Sequence, residues 1–162
     1  MTRAHPGGRR WAALLGLAAL AVAVDQVTKA LARDRLTDGD TDIAGPIRLH
    51  LTHNEGVAFG LFGGNAGTIV AVTLLAVVAI AAWLWWADPT TAPAVGGALV
   101  AGGAAGNLID RLRLDAVTDF IDVGPWPTFN VADSAIVVGV ALIVASGLRE
   151  PAGRGDVTHE RA

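Results

Sequence analysis

Three carboxylates stand in the stretch D-F-I-D-V-G-P-W-P-T-F-N-V-A-D, at Asp119, Asp122 and Asp133. Apolar runs long enough to cross a bilayer flank it, and an acid at the edge of such a run is costly enough to point to function. Two carboxylates able to share one proton suit aspartic peptidase chemistry. The ionised member deprotonates a water while its protonated partner polarises a carbonyl, and like charges so close resist joint ionisation. Asp119 and Asp133 carry the strongest case. The G-P-W-P between them cannot continue a helix, so the chain is expected to pass Asp119 in extended form, turn, and re-enter at Asp133. Asp115 and Asp122 are rivals that spacing alone does not exclude, and loop solvation accounts for several of these acids equally well. Asn130 occupies a helix N-cap position, or faces the site instead.

Two further pairs sit at helical spacing. Asp25 and Lys29 are four residues apart with the acid first, the better order for pairing on one face. An interfacial ion pair, with Lys29 snorkelling to the head groups, is the plainer alternative. Asn107 and Arg111 share a face in the same way, either to fix helix packing or to clamp a substrate backbone. Asp110 lies off that face and is expected to pair with Arg113 or with solvent. His50 and His53 fall on opposite sides of an extended segment, and neither H-E-x-x-H nor G-x-S-x-G occurs. Metal and serine chemistry are poor fits.

The elements that must hold these residues follow from composition and period. The chain has 162 residues, 52% hydrophobic and 17% charged, with no Cys and a formal charge of −3. That is a membrane composition in one domain, without disulfides and without the basic surface that nucleic acid requires. Trp11 to Ala32 spans roughly 33 Å as a helix. A cleaved signal ending in Ala30-Leu31-Ala32 is the rival reading, weakened by Asp25 and Lys29. Further spans are expected at about 66–86, where W-L-W-W forms an aromatic belt, at 94–110 and at 131–148. The third is rich in glycine, and Gly102 with Gly106 offers a small-residue face for close helix approach. Residues 33–42 read as a charged, solvated connector. From Ile47 to Thr52 apolar and polar residues alternate with period two, the mark of a half-buried strand. Gly56 and Gly60 suit a turn back toward the membrane. Four spans put both termini on one side, yet each side carries six basic residues, so the positive-inside rule leaves the side undecided. Functional cations on the side away from the tails would make the tails cytoplasmic.

D-Q-V-T-K at 25–29, H-N-E-G-V-A-F at 53–59, G-G-A-A-G-N-L-I-D-R at 102–111, V-T-D-F-I-D at 117–122 and F-N-V-A-D-S at 129–134 together resemble the lipoprotein signal peptidases, or signal peptidase II. The resemblance covers about residues 11–148. It implies an all-α membrane protein, four transmembrane helices with a small periplasmic β-platform and a mobile periplasmic helix. The activity implied is an aspartic endopeptidase of the bacterial inner membrane, cleaving prolipoproteins before a diacylglyceryl-modified Cys. Its catalytic pair falls on Asp119 and Asp133, and its other site positions fall on Asp25, Lys29, Asn54, Gly56, Asn107, Arg111 and Asn130. The implied partners are the prolipoprotein signal peptide and membrane lipid, with no nucleic acid, metal or cofactor, and the protein acting as a monomer. Both termini would be cytoplasmic, and residues 33–65 and 111–130 would lie outside. Glycines between Gly56 and Gly64 would hinge a lid. Two other classes fit paired acids or G-x-x-x-G contacts less well: a proton-relay transporter and a non-enzymatic assembly subunit.

Overall fold

Among the described residues, four helices follow the four apolar runs, and a three-stranded sheet is drawn from the polar intervals between them. In the computed structural model, residues 8–55, 66–86 and 91–148 are described. In chain order the elements are α1 (Gly8–Arg35), β1 (Thr41–Ala44), β2 (Ile47–Asn54), α2 (Ala66–Trp86), α3 (Ala92–Leu114), β3 (Val117–Asp122) and α4 (Val131–Gly147). Gly56 and the expected hinge segment to Gly64 lie outside the described residues, as do both tails. α1 and α3 are each long and apolar enough to cross a membrane, while Val70–Ile80 of α2 and α4 are shorter apolar helical stretches.

Two boundaries differ from the sequence reading for physical reasons. α1 continues through Arg33, Asp34 and Arg35, which read as connector. Cations are favourable at the carboxyl end of a helix dipole, so charge there does not end the helix. α3 runs from Ala92 to Leu114, beyond its apolar window. Pro93 is tolerated in its first turn, and Asp115 stops it in the left-handed conformation (φ 58°), its N–H donating to the Arg111 carbonyl at 3.1 Å.

α3 is the axis of the bundle, and its glycines set how near its neighbours come. A Cβ at Gly102 would lie 2.7 Å from the Ala18 carbonyl oxygen of α1, and one at Gly106 would lie 2.6 Å from Asp25 Oδ2. The Gly102–Gly106 face therefore receives α1. A second row faces α4, where a Cβ at Gly103 would run into the Ala132 carbonyl. Many large apolar side chains of α1, α2 and α4 point outward, among them Leu15, Leu20, Leu75 and Val137. That is the surface expected of helices in lipid, where association rests on close packing of small residues.

The sheet has strand order β1-β2-β3, antiparallel throughout. The period-two stretch at 47–52 is the first part of β2, and its Leu49 and Leu51 pack on a cluster of Ala32, Leu36 and Phe120. A separate cluster of Leu14, Ala94 and Ala98 lies far along the bundle. Between these apolar layers sits a polar one.

Gly103→Ala is expected to push the first turn of α4 outward and lower stability by about 1–3 kcal/mol. Gly16→Ala, where a Cβ meets nothing, should change it by less than about 0.5 kcal/mol. Thermal unfolding in detergent compares them; equal midpoints for the two variants would refute the packing account.

Candidate active site

The polar layer begins on α1. Asp25 and Lys29 form the expected i,i+4 pair, Nζ to Oδ2 at 2.9 Å, with both side chains 0% exposed. Lys29 does not snorkel: its Nζ also contacts Asp110 Oδ2 at 3.3 Å and donates to Asn107 Oδ1 at 2.8 Å. Asp25 Oδ1 accepts the Ala132 N–H at 2.9 Å, which ties α1 to the first turn of α4. Gln26 donates from Nε2 to Asp25, to the Gly106 carbonyl and to Asp110 Oδ1.

Asp110 was expected to pair with Arg113 or solvent, and the structure corrects this. It is buried, and its carboxylate takes Gln26, Lys29 and, at 3.0 Å, the backbone N–H of Thr118. Thr118 is the second residue of β3, so this acid fixes the strand to α3. The only local hint was its place three residues after Asn107, on an adjoining part of the helix surface. Its partner N–H lies on a strand that the pattern of α3 cannot reveal. Arg33 adds a second tether, donating from Nη1 to Thr118 Oγ1 at 2.8 Å.

β3 presents Asp119 in extended backbone, opposite Thr52 in the ladder. Asn54, two residues on in β2, is its diagonal neighbour, and Nδ2 donates to Asp119 Oδ2 at 3.0 Å. After Asp122 the chain turns at Gly124 (φ 88°), whose N–H donates to Asp122 Oδ1 at 2.7 Å. It returns so that Phe129 pairs with Ile121. That return delivers Asn130 beside Asp119.

Asn130 serves both roles that the sequence left as alternatives. Its Oδ1 accepts the Asp133 N–H at 3.0 Å, and Asp133 Oδ2 accepts the Asn130 N–H at 3.2 Å, a reciprocal capping box. Its Nδ2 meanwhile donates to Asp119 Oδ1 at 2.7 Å and to Asn107 Oδ1 at 3.1 Å. Asn107 in turn donates from Nδ2 to Asp133 Oδ1 at 2.8 Å. Asp119 and Asp133 are thus bridged by one asparagine, and among the described residues each accepts two N–H donors.

The carboxylates in this region are not equivalent. Burial pushes the Asp119 carboxyl above its ordinary range; the Asn54 donor opposes that shift and the Asp133 charge adds to it. Asp122 is held below the ordinary range by the Gly124 N–H and then by the Arg48 guanidinium at 2.6 Å. Asp115 is exposed at the end of α3. Asp122 and Asp115 therefore have structural duties that account for them. Arg111 is half-buried and, among the described residues, makes no hydrogen bond or ion pair, although the carboxylates of Asp133, Asp119 and Asp110 act on its charge. Among the described residues no three His, Asp or Glu side chains are grouped to hold a metal ion.

The family model described as signal peptidase (SPase) II matches residues 17–149. The chain belongs to the signal peptidase II family. The lipoprotein signal peptidase of Moorella thermoacetica is 42% identical over 85% of this chain and 93% of its own. That of Syntrophomonas wolfei is 38% identical over 88% and 97%. A bacterial membrane enzyme solved by the in meso method at 2.3 Å superposes with a TM-score of 0.79 at 26% identity, covering 91% of this chain and 94% of the other. Signal peptidase II members are proteases, and the exposed apolar helices agree with an integral membrane protein. The resemblance drawn from the five motifs is thereby established at the level of the family, on a mostly helical fold with one small sheet.

Because the folded protein holds the Asp119 proton more tightly than the unfolded chain does, this group's stabilising contribution is complete below the ordinary carboxylate range. It is lost as pH rises through the raised value. Asp119→Asn should therefore gain on the wild type in thermal stability as pH is raised from about 4 to about 8. A difference in unfolding midpoint that stays constant over that range would contradict the assignment.

Proposed function

We propose that the protein is an intramembrane aspartic endopeptidase that removes signal peptides from diacylglyceryl-modified prolipoproteins, cleaving before the lipidated Cys. The observation that carries this reading is the bridged pair. Asp119 and Asp133 come from a strand and a helix start, share the Asn130 side chain and backbone as donors, and differ in environment. Asp119 holds its proton more tightly than an ordinary carboxylate, which suits it to protonate the scissile carbonyl oxygen. Asp133 is then the base that takes a proton from the attacking water. The tetrahedral intermediate collapses when the leaving amine is protonated, and the pair returns to one shared proton. No metal or cofactor enters the reaction so written.

In this reading α1 to α4 are four spans, with residues of about 11–32, 66–86, 94–110 and 131–148 crossing the bacterial inner membrane. Both termini are cytoplasmic, and residues 33–65 and 111–130 form the outer face, where the sheet caps the site. Family membership and the outward apolar side chains support it. The substrate's signal helix enters laterally from lipid, and its diacylglyceryl chains remain there. Asn54 reaches the pair from the sheet, and Arg111, with its guanidinium uncommitted among the described residues, supplies donors for the extended peptide. A peptide carbonyl in lipid lacks water, so such donors are effective anchors.

The decisive assay incubates purified protein in detergent with a diacylglyceryl-modified prolipoprotein and follows release of the signal peptide. Asp119→Asn and Asp133→Asn are each expected to slow release by about 10²–10⁴-fold while remaining folded. Unchanged release by either variant, or none by the wild type, sinks the proposal. Arg111→Ala should raise KM more than it lowers kcat; a pure kcat effect would remove Arg111 from substrate binding.

A further inference from the structure

Lys29 was expected among the residues that bind substrate, but its surroundings leave it nothing to bind with. An ammonium has three N–H donors and no acceptor. Here Asp25 Oδ2, Asp110 Oδ2 and Asn107 Oδ1 lie within 2.9, 3.3 and 2.8 Å of it, and the side chain is 0% exposed. We infer that Lys29 is a positioning residue, whose ammonium locks the Asn107 amide so that its N–H, and not its carbonyl, faces Asp133. The inference rests on the aspartic reading given above.

The argument is one of donor and acceptor parity. A primary amide rotated by half a turn exchanges oxygen for nitrogen at nearly constant shape. With Nδ2 turned toward Lys29, two donors would meet inside a site of low dielectric, an arrangement costly in proportion to its burial. The ammonium therefore selects the rotamer in which Oδ1 faces Lys29 and Nδ2 faces Asp133 at 2.8 Å. The same Oδ1 then accepts from Asn130 Nδ2, which leaves Asn130 Oδ1 to receive the Asp133 N–H. One cation thus orients two asparagines, and their side-chain N–H groups reach Asp133 and Asp119 because both acceptors are turned elsewhere. Asp25 and Asp110 both pair with the ammonium, and Gln26 and the Thr118 N–H satisfy the remaining lone pairs of Asp110.

The test removes the cation together with the carboxylate it meets at 2.9 Å. In Lys29→Met/Asp25→Asn the buried cluster keeps the same net charge, and an amide oxygen at 25 can still accept the Ala132 N–H. In ¹⁵N-asparagine-labelled protein in detergent, the Asn107 side-chain NH₂ resonances, assigned by their loss in Asn107→Ala, are expected to shift. The amide introduced at 25 is identified in Asp25→Asn alone. With lipidated prolipoprotein, kcat should fall about 10–100-fold while KM stays within about twofold. A rise in KM at unchanged kcat would make Lys29 a substrate contact and overturn the inference. So would Asn107 resonances that do not move, or a loss of rate that only tracks the folded fraction. Asn107→Asp gives an independent arm, since it keeps an acceptor for Lys29 but removes the donor to Asp133. It should fold and lose kcat, and full kcat in that variant would also overturn the inference. Activity retained in Asp119→Asn and Asp133→Asn would instead remove the aspartic reading itself, with the amide resonances still reporting whether Lys29 holds Asn107.

Discussion

A fully buried ammonium has to be surrounded by acceptors or it cannot remain charged. Lys29 meets that demand with groups from α1 and α3, and its partners reach on to β3 and α4. Removing one member would strand charge in a dry interior, at a cost of roughly 3–5 kcal/mol. The helices are therefore held in a particular rotation and height relative to one another, which small-residue packing alone would not specify. Apolar surfaces in lipid slide and turn at low cost; a saturated polar knot does not.

The glycines of α3 are the complement of that knot. Gly106 exists as a gap into which the Asp25 carboxylate fits, and Gly103 admits the backbone of the first turn of α4. Polar contacts of about 3 Å between helices require backbones nearer than side-chain packing normally permits. The residue pattern of α3 is thus a single design: glycines on two faces for approach, and Asn107, Asp110 and Arg111 at the end where approach is used.

Much of this was legible in the chain because it depends on short-range spacing. Asp25 and Lys29 pair as their i,i+4 spacing requires, and the alternation from Ile47 appears as β2. The extended passage through Asp119 follows from the helix-breaking G-P-W-P. Other features depend on partners far away in sequence. Asp110 reads as a peripheral acid until the Thr118 N–H and Lys29 close on it. β1, with all four residues exposed, exists by pairing with β2 and has no apolar pattern to announce it. Asn130 looked like either a cap or a site residue because one side chain offers an acceptor and a donor, and only the fold shows both in use.

The i,i+4 pair on α1 also bears on how such a chain is made. Asp25 and Lys29 neutralise one another within a single turn, so the first helix can rest in lipid before any partner has been synthesised. Asp25 Oδ1 nevertheless waits for the Ala132 N–H, 107 positions later. The same late turn brings Asn130 and Asp133. Docking of the final helix is thus the event that closes the polar layer, and until it happens the chain lacks Asp133 and the Asn130 amide that bridges it to Asp119.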